Sequence, residues 1–204
     1  MSTRIYRMIH IENLPRLLEW GGDWSQNQAT KRGLSKRTIH HTDIMDARQR
    51  ATIDVPPRGV VADYVPFYFG PCSPMLYAIK NGKVEGCNDQ KEIIYLVSTA
   101  EAVAEAELPF VFTNGHAIIG YVDQFNRLED LPKVPWDVIK AKYWNNHTDG
   151  RCKRQSEFLV RDFFPLSLIG SIGVANEKRL AEVEELLTAS GISMQVKVCN
   201  GWYF

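Results

Sequence analysis

Two clusters of basic side chains and one glutamate have the charge and spacing to do chemistry in this sequence. Between Lys31 and Arg58 stand Lys31, Arg32, Lys36, Arg37, Arg48, Arg50 and Arg58, against Asp43, Asp46 and Asp54. A second cluster, Arg151, Lys153, Arg154 and Arg161, brackets a lone Glu157 at the head of the apolar run Phe158-Leu159-Val160. A locally positive surface of this kind can hold the phosphates of a dinucleotide or of a short single strand, although a solvated loop has the same composition. Taken alone, Glu157 reads as an ordinary exposed strand residue and Arg48 as a loop arginine in water. Tyr64, Phe67, Tyr68 and Phe69 invite a core reading by their alternation. Trp24, Trp136, Tyr143 and Trp144 either stack on unpaired bases or pack on the protein's own surface.

Composition narrows the field. The 204 residues, 45% hydrophobic and 24% charged, are expected to form one globular domain spanning 1–204. The balance of 24 basic and 24 acidic residues argues against a protein whose main task is gripping duplex DNA. No run is long enough to span a bilayer, and the segment MSTRIYRMIHIENL lacks the parts of a signal peptide. Cys72, Cys87, Cys152 and Cys199 form no CxxC pair, and His10, His40, His41, His116 and His147 form no zinc pattern. A reduced cytoplasmic setting, no membrane and no metal are expected.

The elements that must position these groups follow from patterning. A short strand over Arg4–Ile9 leads to a brief helix capped by Asn13, with Pro15 in its first turn and Gly21 past its end. Residues 23–60 read as one long loop, a kind usually functional or mobile. Tyr64–Phe69 reads as a strand that Pro66 pushes toward an edge or an irregular start. Glu92–Val97 is a buried strand, and Ser98-Thr99-Ala100-Glu101 a capping box for a helix through about Glu107. Pro109–Thr113 makes another strand. Trp136, Ile139, Lys140 and Tyr143 suit one helix face. Asn176 caps a helix striped with Leu180, Val183, Leu186 and Leu187 and closed by Gly191. Ile192, Met194, Val196 and Val198 then alternate as a half-buried strand. The fold class is α+β.

Four stretches carry a resemblance that spans nearly the whole chain: Ile5–Leu14, Asp63–Leu76 (DYVPFYFGPCSPML), Leu108–Thr113 and Arg154–Val160, joined by the terminal Gly201–Phe204. Together they resemble the DarT family of DNA ADP-ribosyltransferase toxins. The resemblance implies a PARP-like ADP-ribosyltransferase fold, with a central mixed β-sheet and peripheral helices. It also implies transfer of ADP-ribose from NAD to a base in single-stranded DNA, with release of nicotinamide. The implied partners are single-stranded DNA and a macrodomain antitoxin, DarG. On this carry-over Glu157 matches the catalytic glutamate and Arg48 the essential arginine. Arg7, Met8, Ile9 and His10 match the opening strand that contacts NAD, Arg16 is a candidate for its phosphates, and Tyr68 for stacking on nicotinamide. Residues 32–50 match the loop that closes over NAD, and 114–157 the substrate-facing turn region. Many relatives carry His where Arg7 stands and Arg where Cys72 stands, departures that bear on how dinucleotide and DNA are held. Thymine is the favoured base and guanine the second.

The residue types suit that reaction. Breaking the nicotinamide–ribose bond passes through an oxocarbenium-like sugar, which a nearby carboxylate stabilises while bonding its hydroxyls. Basic neighbours in sequence are expected to keep Glu157 ionised. A guanidinium is a poor proton acceptor near neutral pH, so Arg48 is expected to clamp a phosphate or the acceptor's carbonyl. Attack by a base nitrogen used in pairing requires that edge to be free, hence the single strand. Competing readings are an NAD glycohydrolase, an ADP-ribosyltransferase acting on RNA or protein, a dead nucleic-acid-binding module and a purely structural protein.

Overall fold

The structure, a computed structural model, describes residues 2–39 and 42–204. His40 and His41, two of the histidines weighed as metal ligands, lie outside the described residues, as does part of the expected 32–50 loop. In chain order the strands are β1 (Arg4–His10), β2 (Gly22–Trp24), β3 (Thr52–Ile53), β4 (Gly59–Val60), β5 (Tyr64–Tyr68) and β6 (Ile93–Thr99). They continue with β7 (Phe110–Thr113), β8 (Gln124–Phe125), β9 (Glu157–Arg161), β10 (Phe163–Pro165), β11 (Ser171–Val174) and β12 (Gln195–Val198). The helices are α1 (Leu14–Trp20), α2 (Gln26–Lys31), α3 (Thr42–Arg50), α4 (Pro74–Lys80), α5 (Ala100–Glu105), α6 (Trp136–Lys140), α7 (Gly150–Lys153) and α8 (Glu177–Ala189).

Among the described residues the main sheet has eight strands in the order β12-β11-β6-β1-β5-β9-β7-β8. Only β11 and β12 run parallel; the other pairings are antiparallel, so the sheet is mixed. Period-two alternation sorts the side chains onto its two faces. Ile5, Ile9, Phe67 and Phe158 pack toward Leu14 and Leu17 of α1 and Val183 and Leu187 of α8. Tyr6, Met8, Tyr68 and Tyr95 pack with Leu76 and Ile79 of α4 on the other side. Phe158 is fully buried against Phe110 and Phe112, so truncating it to alanine costs about 3–5 kcal/mol.

The sheet is nearly split at its centre. β1 matches β6 over seven residue pairs, from Arg4↔Thr99 to His10↔Ile93, and β5 matches β9 over five. β1 and β5 meet in register only at Tyr6↔Tyr68. Pro66 explains why. It has no N–H to give to β1, while β9 accommodates it opposite Leu159. The expected edge or irregular start is therefore corrected: Pro66 lies in an interior strand, at the seam where two half-sheets diverge.

Other expectations change in detail. Asn13 makes no side-chain cap on α1; its amide instead pairs with the Arg37 backbone, donating to the carbonyl (2.8 Å) and accepting from the N–H (2.7 Å). Gly21 does end α1, at φ 71°, a left-handed turn that glycine adopts freely. The supposed long loop 23–60 contains β2, α2, α3 and the β3–β4 pair; its short, polar elements carry too weak a period to stand out. Thr99, not Ser98, caps α5, accepting from Ala102 N–H. Ser98 bonds the Leu168 carbonyl, and Glu101 reaches the Thr3 N–H. Tyr143 lies beyond α6, which stops at Lys140. Asn176 caps α8 as expected.

Candidate active site

The seam between the half-sheets opens into a cleft. Its floor is lined by Arg7 and Met8 of β1, Pro66 and Tyr68 of β5, Arg48, Met75 and Glu157. It continues outward as a cavity of about 320 Å³ walled by β1 from Arg7 to Ile9, the Trp24–Thr30 stretch and residues 34–39. That is the low end of small-molecule pocket sizes.

Glu157 begins β9 and is 1% exposed, so the expected exposed strand residue is in fact enclosed. It sits at the end of an interior strand. Its backbone is fixed by Thr113, whose hydroxyl accepts the Glu157 N–H (3.1 Å) and donates to the Gly115 carbonyl (2.6 Å). That hydroxyl thus ties β9 to the turn that follows β7. The carboxylate has two different environments. Oε2 accepts from Arg48 Nη1 at 2.9 Å, and Oε1 accepts from the Ala117 N–H at 3.3 Å, with His116 Nε2 at 3.7 Å.

The positive partner of Glu157 comes from far away in sequence, which corrects the expectation that its sequence neighbours serve. Arg161 turns to Asp63, Asp162 and the Arg58 carbonyl. Arg154 binds the carbonyls of Val138, Ile139, Ala141 and Pro71, closing the end of α6. Arg48 supplies the charge from α3, a helix where a loop was expected. It is 6% exposed, and its Nη2 has no hydrogen-bond partner among the described residues. A buried donor left unmade costs roughly 1–3 kcal/mol.

Neighbouring groups take their protonation from burial and these charges. Tyr68 stands directly across from Glu157 in the β5–β9 register. Burial first, then the Glu157 charge, push its hydroxyl well up. Burial also lowers the His116 pKa, outweighing the pull of Glu157, with Arg48 and Arg151 adding to the effect. His116 is therefore a neutral imidazole near pH 7. On the β1 side, Arg7 Nε and Lys36 Nζ both grip Asp23, at 2.8 and 2.7 Å. Burial alone would raise the Asp23 carboxyl, but the two cations hold it below its ordinary value. Arg7 Nη1 also reaches the Pro66 carbonyl at 3.5 Å, spanning the seam.

Of the residues nominated from sequence, Glu157, Arg48, Arg7, Met8, Ile9 and Tyr68 come together around this cleft. His10 does not line it: the side chain is fully buried, its Nδ1 accepting from the Glu12 N–H and its Nε2 3.2 Å from Glu92. Arg16 is exposed on α1 and is not among the residues lining the cleft. Trp24 lines the outer cavity and is packed against Phe163, ring centroids 4.2 Å apart, and Arg32, 3.8 Å from its ring. Sequence reasoning did not single out Asp23 or Thr113; Lys36 entered only as one of the Lys31–Arg58 basic cluster and the 32–50 loop, and His116 only within the 114–157 region. His116 and Thr113 could have been found, since they begin the turn region after the Leu108–Thr113 strand; nothing in sequence marks Asp23.

This split mixed sheet, with a buried arginine-paired glutamate at its seam, is that of a chain in the ADP-ribosyltransferase class. The chain belongs to the DarT family, described as ssDNA thymidine ADP-ribosyltransferase, whose model matches residues 6–204. It is 41% identical to the DNA ADP-ribosyl transferase of Thermus sp. strain 2.9 over 99% of this chain and 96% of that protein. Its structure superposes on Thermus sp. 2.9 DarT in complex with ADP-ribosylated ssDNA at a TM-score of 0.95, with 40% identity, covering 100% of this chain and 97% of that one. The same Thermus protein in complex with NAD+ gives a TM-score of 0.89 and 38% identity, covering 100% and 98%. No helix among the described residues is long and apolar enough to cross a membrane.

Proposed function

We propose that residues 1–204 form one enzyme domain that transfers ADP-ribose from NAD to a base in single-stranded DNA and releases nicotinamide, acting in the cytoplasm as the toxin of a toxin–antitoxin pair. Thymine is the favoured acceptor, in keeping with the family's description, and guanine the second. The antitoxin is a DarG-type macrodomain, and no metal takes part. The observation that carries this reading is the buried Arg48–Glu157 pair on the floor of a cleft, with Arg48 Nη2 unengaged among the described residues.

The side chains fit NAD as substrate. Arg7, Met8 and Ile9 form the cleft wall on one half-sheet and Tyr68 an aromatic face on the other. Glu157 accepts hydrogen bonds from the ribose hydroxyls and stabilises positive charge as the glycosidic bond to nicotinamide breaks. Arg48 holds the carboxylate with one nitrogen and offers the other to the acceptor's carbonyl or a phosphate. The acceptor nitrogen bonds to the anomeric carbon as nicotinamide leaves with the electrons of the broken glycosidic bond, and the nitrogen's proton is released to solvent. Burial withdraws the site from water, which otherwise competes as acceptor.

Mass spectrometry of short oligonucleotides, each containing one kind of base, after incubation with NAD tests this. A mass increase of one ADP-ribose on the thymine oligonucleotide alone, absent with Glu157→Ala, is expected. Nicotinamide release without any DNA adduct would instead show a glycohydrolase or a transferase with an RNA or protein acceptor, which parallel incubations with those acceptors separate.

A further inference from the structure

A second concave surface lies behind α4, outside the cleft. It encloses about 900 Å³ between the end of β5, α4, the segment after α6 and the last residues of the chain. Three rings form its rim by packing edge to face: Tyr77 with Trp144 at 6.0 Å, Tyr77 with Phe204 at 5.2 Å, and Trp144 with Phe204 at 5.7 Å. Tyr143 adds a ring that is 60% exposed. Lys80, Lys140 and Lys142 line the same surface, and among the described residues no aspartate or glutamate side chain does. Large aromatic area left open to water is unusual in a soluble protein, and here it is combined with unbalanced positive charge.

The position of this surface is set by helix geometry. On α4, Met75 and Ala78 face Tyr68 and Arg48 in the cleft region, while Tyr77 and Lys80 face the aromatic surface. Residues three apart share a side of a helix, and residues two apart lie on nearly opposite sides. One short helix, about 10 Å across, therefore separates the Arg48–Glu157 pair from the open rings. We infer that this cradle of Tyr77, Tyr143, Trp144 and Phe204 with its lysines binds the single-stranded DNA flanking the modified base, bases stacking on the rings and phosphates meeting the ammonium groups. This rests on the reading of single-stranded DNA as acceptor and extends it to a strand that crosses α4.

The test is fluorescence anisotropy without NAD, using end-labelled single strands with one target base and flanks lengthened on either side. The wild type is expected to bind more tightly as one flank grows. Tyr143→Ala, at an exposed position, should remove about five- to hundredfold of that gain. Lys80→Ala with Lys142→Ala should lower the slope of log Kd on log salt by about 0.7 per lysine. Turnover of the shortest strand that still accepts ADP-ribose should stay at the wild-type rate in all of them. An affinity independent of flank length, or variants that keep the wild-type gain, would overturn the inference. So would variants that bind every strand normally but change the sedimentation of the free protein, which would assign the surface to a second copy of the chain. Failure to transfer ADP-ribose to any oligonucleotide would sink the acceptor reading instead, since the binding comparison is read without NAD.

Discussion

Replacing Arg48 by lysine separates what its charge does from what its shape does. Arg48→Ala would leave the buried Glu157 carboxylate without its cation, costing roughly 3–5 kcal/mol of stability, and a dead enzyme would then say little. Lysine retains a charge that can reach Glu157, 2.9 Å from Nη1 in the native pair, and so keeps the fold. It cannot at the same time present a second donor in the position of Nη2, which is buried and unengaged. If that second donor meets charge developing on the acceptor, its loss resembles removal of one oxyanion-hole donor, about 10²–10³ in rate or roughly 3–4 kcal/mol. The assay is single-turnover nicotinamide release with saturating NAD and single strand, alongside a thermal melt. A Tm within a few degrees of wild type with a rate down at least a hundredfold is expected. A rate within threefold of wild type would refute the need for a planar, two-nitrogen group at this position.

Other outcomes follow from the same geometry. Glu157→Gln keeps the shape of the side chain but not its charge, and should lower nicotinamide release by at least a hundredfold while NAD affinity, read by calorimetry, changes far less. Asp23→Asn strips Arg7 and Lys36 of their shared partner and should cost about 3 kcal/mol, a Tm loss of roughly 6–12 °C by calorimetry. His116 has a pKa below its ordinary 6.5 in the folded chain, so the unfolded chain takes up the proton first as pH falls. Its contribution to stability is full above pH 6.5 and is lost as pH drops from there toward the folded value; His116→Asn should flatten that part of the Tm–pH curve. Thr113→Val removes the hydroxyl that fixes the Glu157 backbone and should lower kcat more than it raises KM, measured by steady-state nicotinamide release.

The strands were legible where alternation and β-branched residues were dense, as in Ile93–Thr99 and the half-buried β12. Asn176 and Gly21 were legible as helix punctuation because their roles are local. Asn13 was misread because a cap signal does not reveal a better partner, the Arg37 backbone, 24 residues on. The Arg48–Glu157 pair is the sharper case. Glu157 and Arg48 are 109 positions apart, and no composition rule joins them; each taken alone looked like surface, and only the resemblance singled them out. The Asp23 network escaped because a buried carboxylate between two cations leaves no periodic trace. Pro66 was recognised as an oddity, but its consequence depends on which strand lies on the N–H side.

The seam at Pro66 has a mechanical meaning. The two leaves of the sheet are stitched in register by a single residue pair, Tyr6 with Tyr68, and clasped beside it by Arg7 reaching the Pro66 carbonyl. On the proposed function, a dinucleotide lodged there would touch Met8 on one leaf and Tyr68 on the other, and so would become the mortar between them. The substrate is then also a structural member of the fold, present while the bond to nicotinamide is whole and gone once its fragments leave.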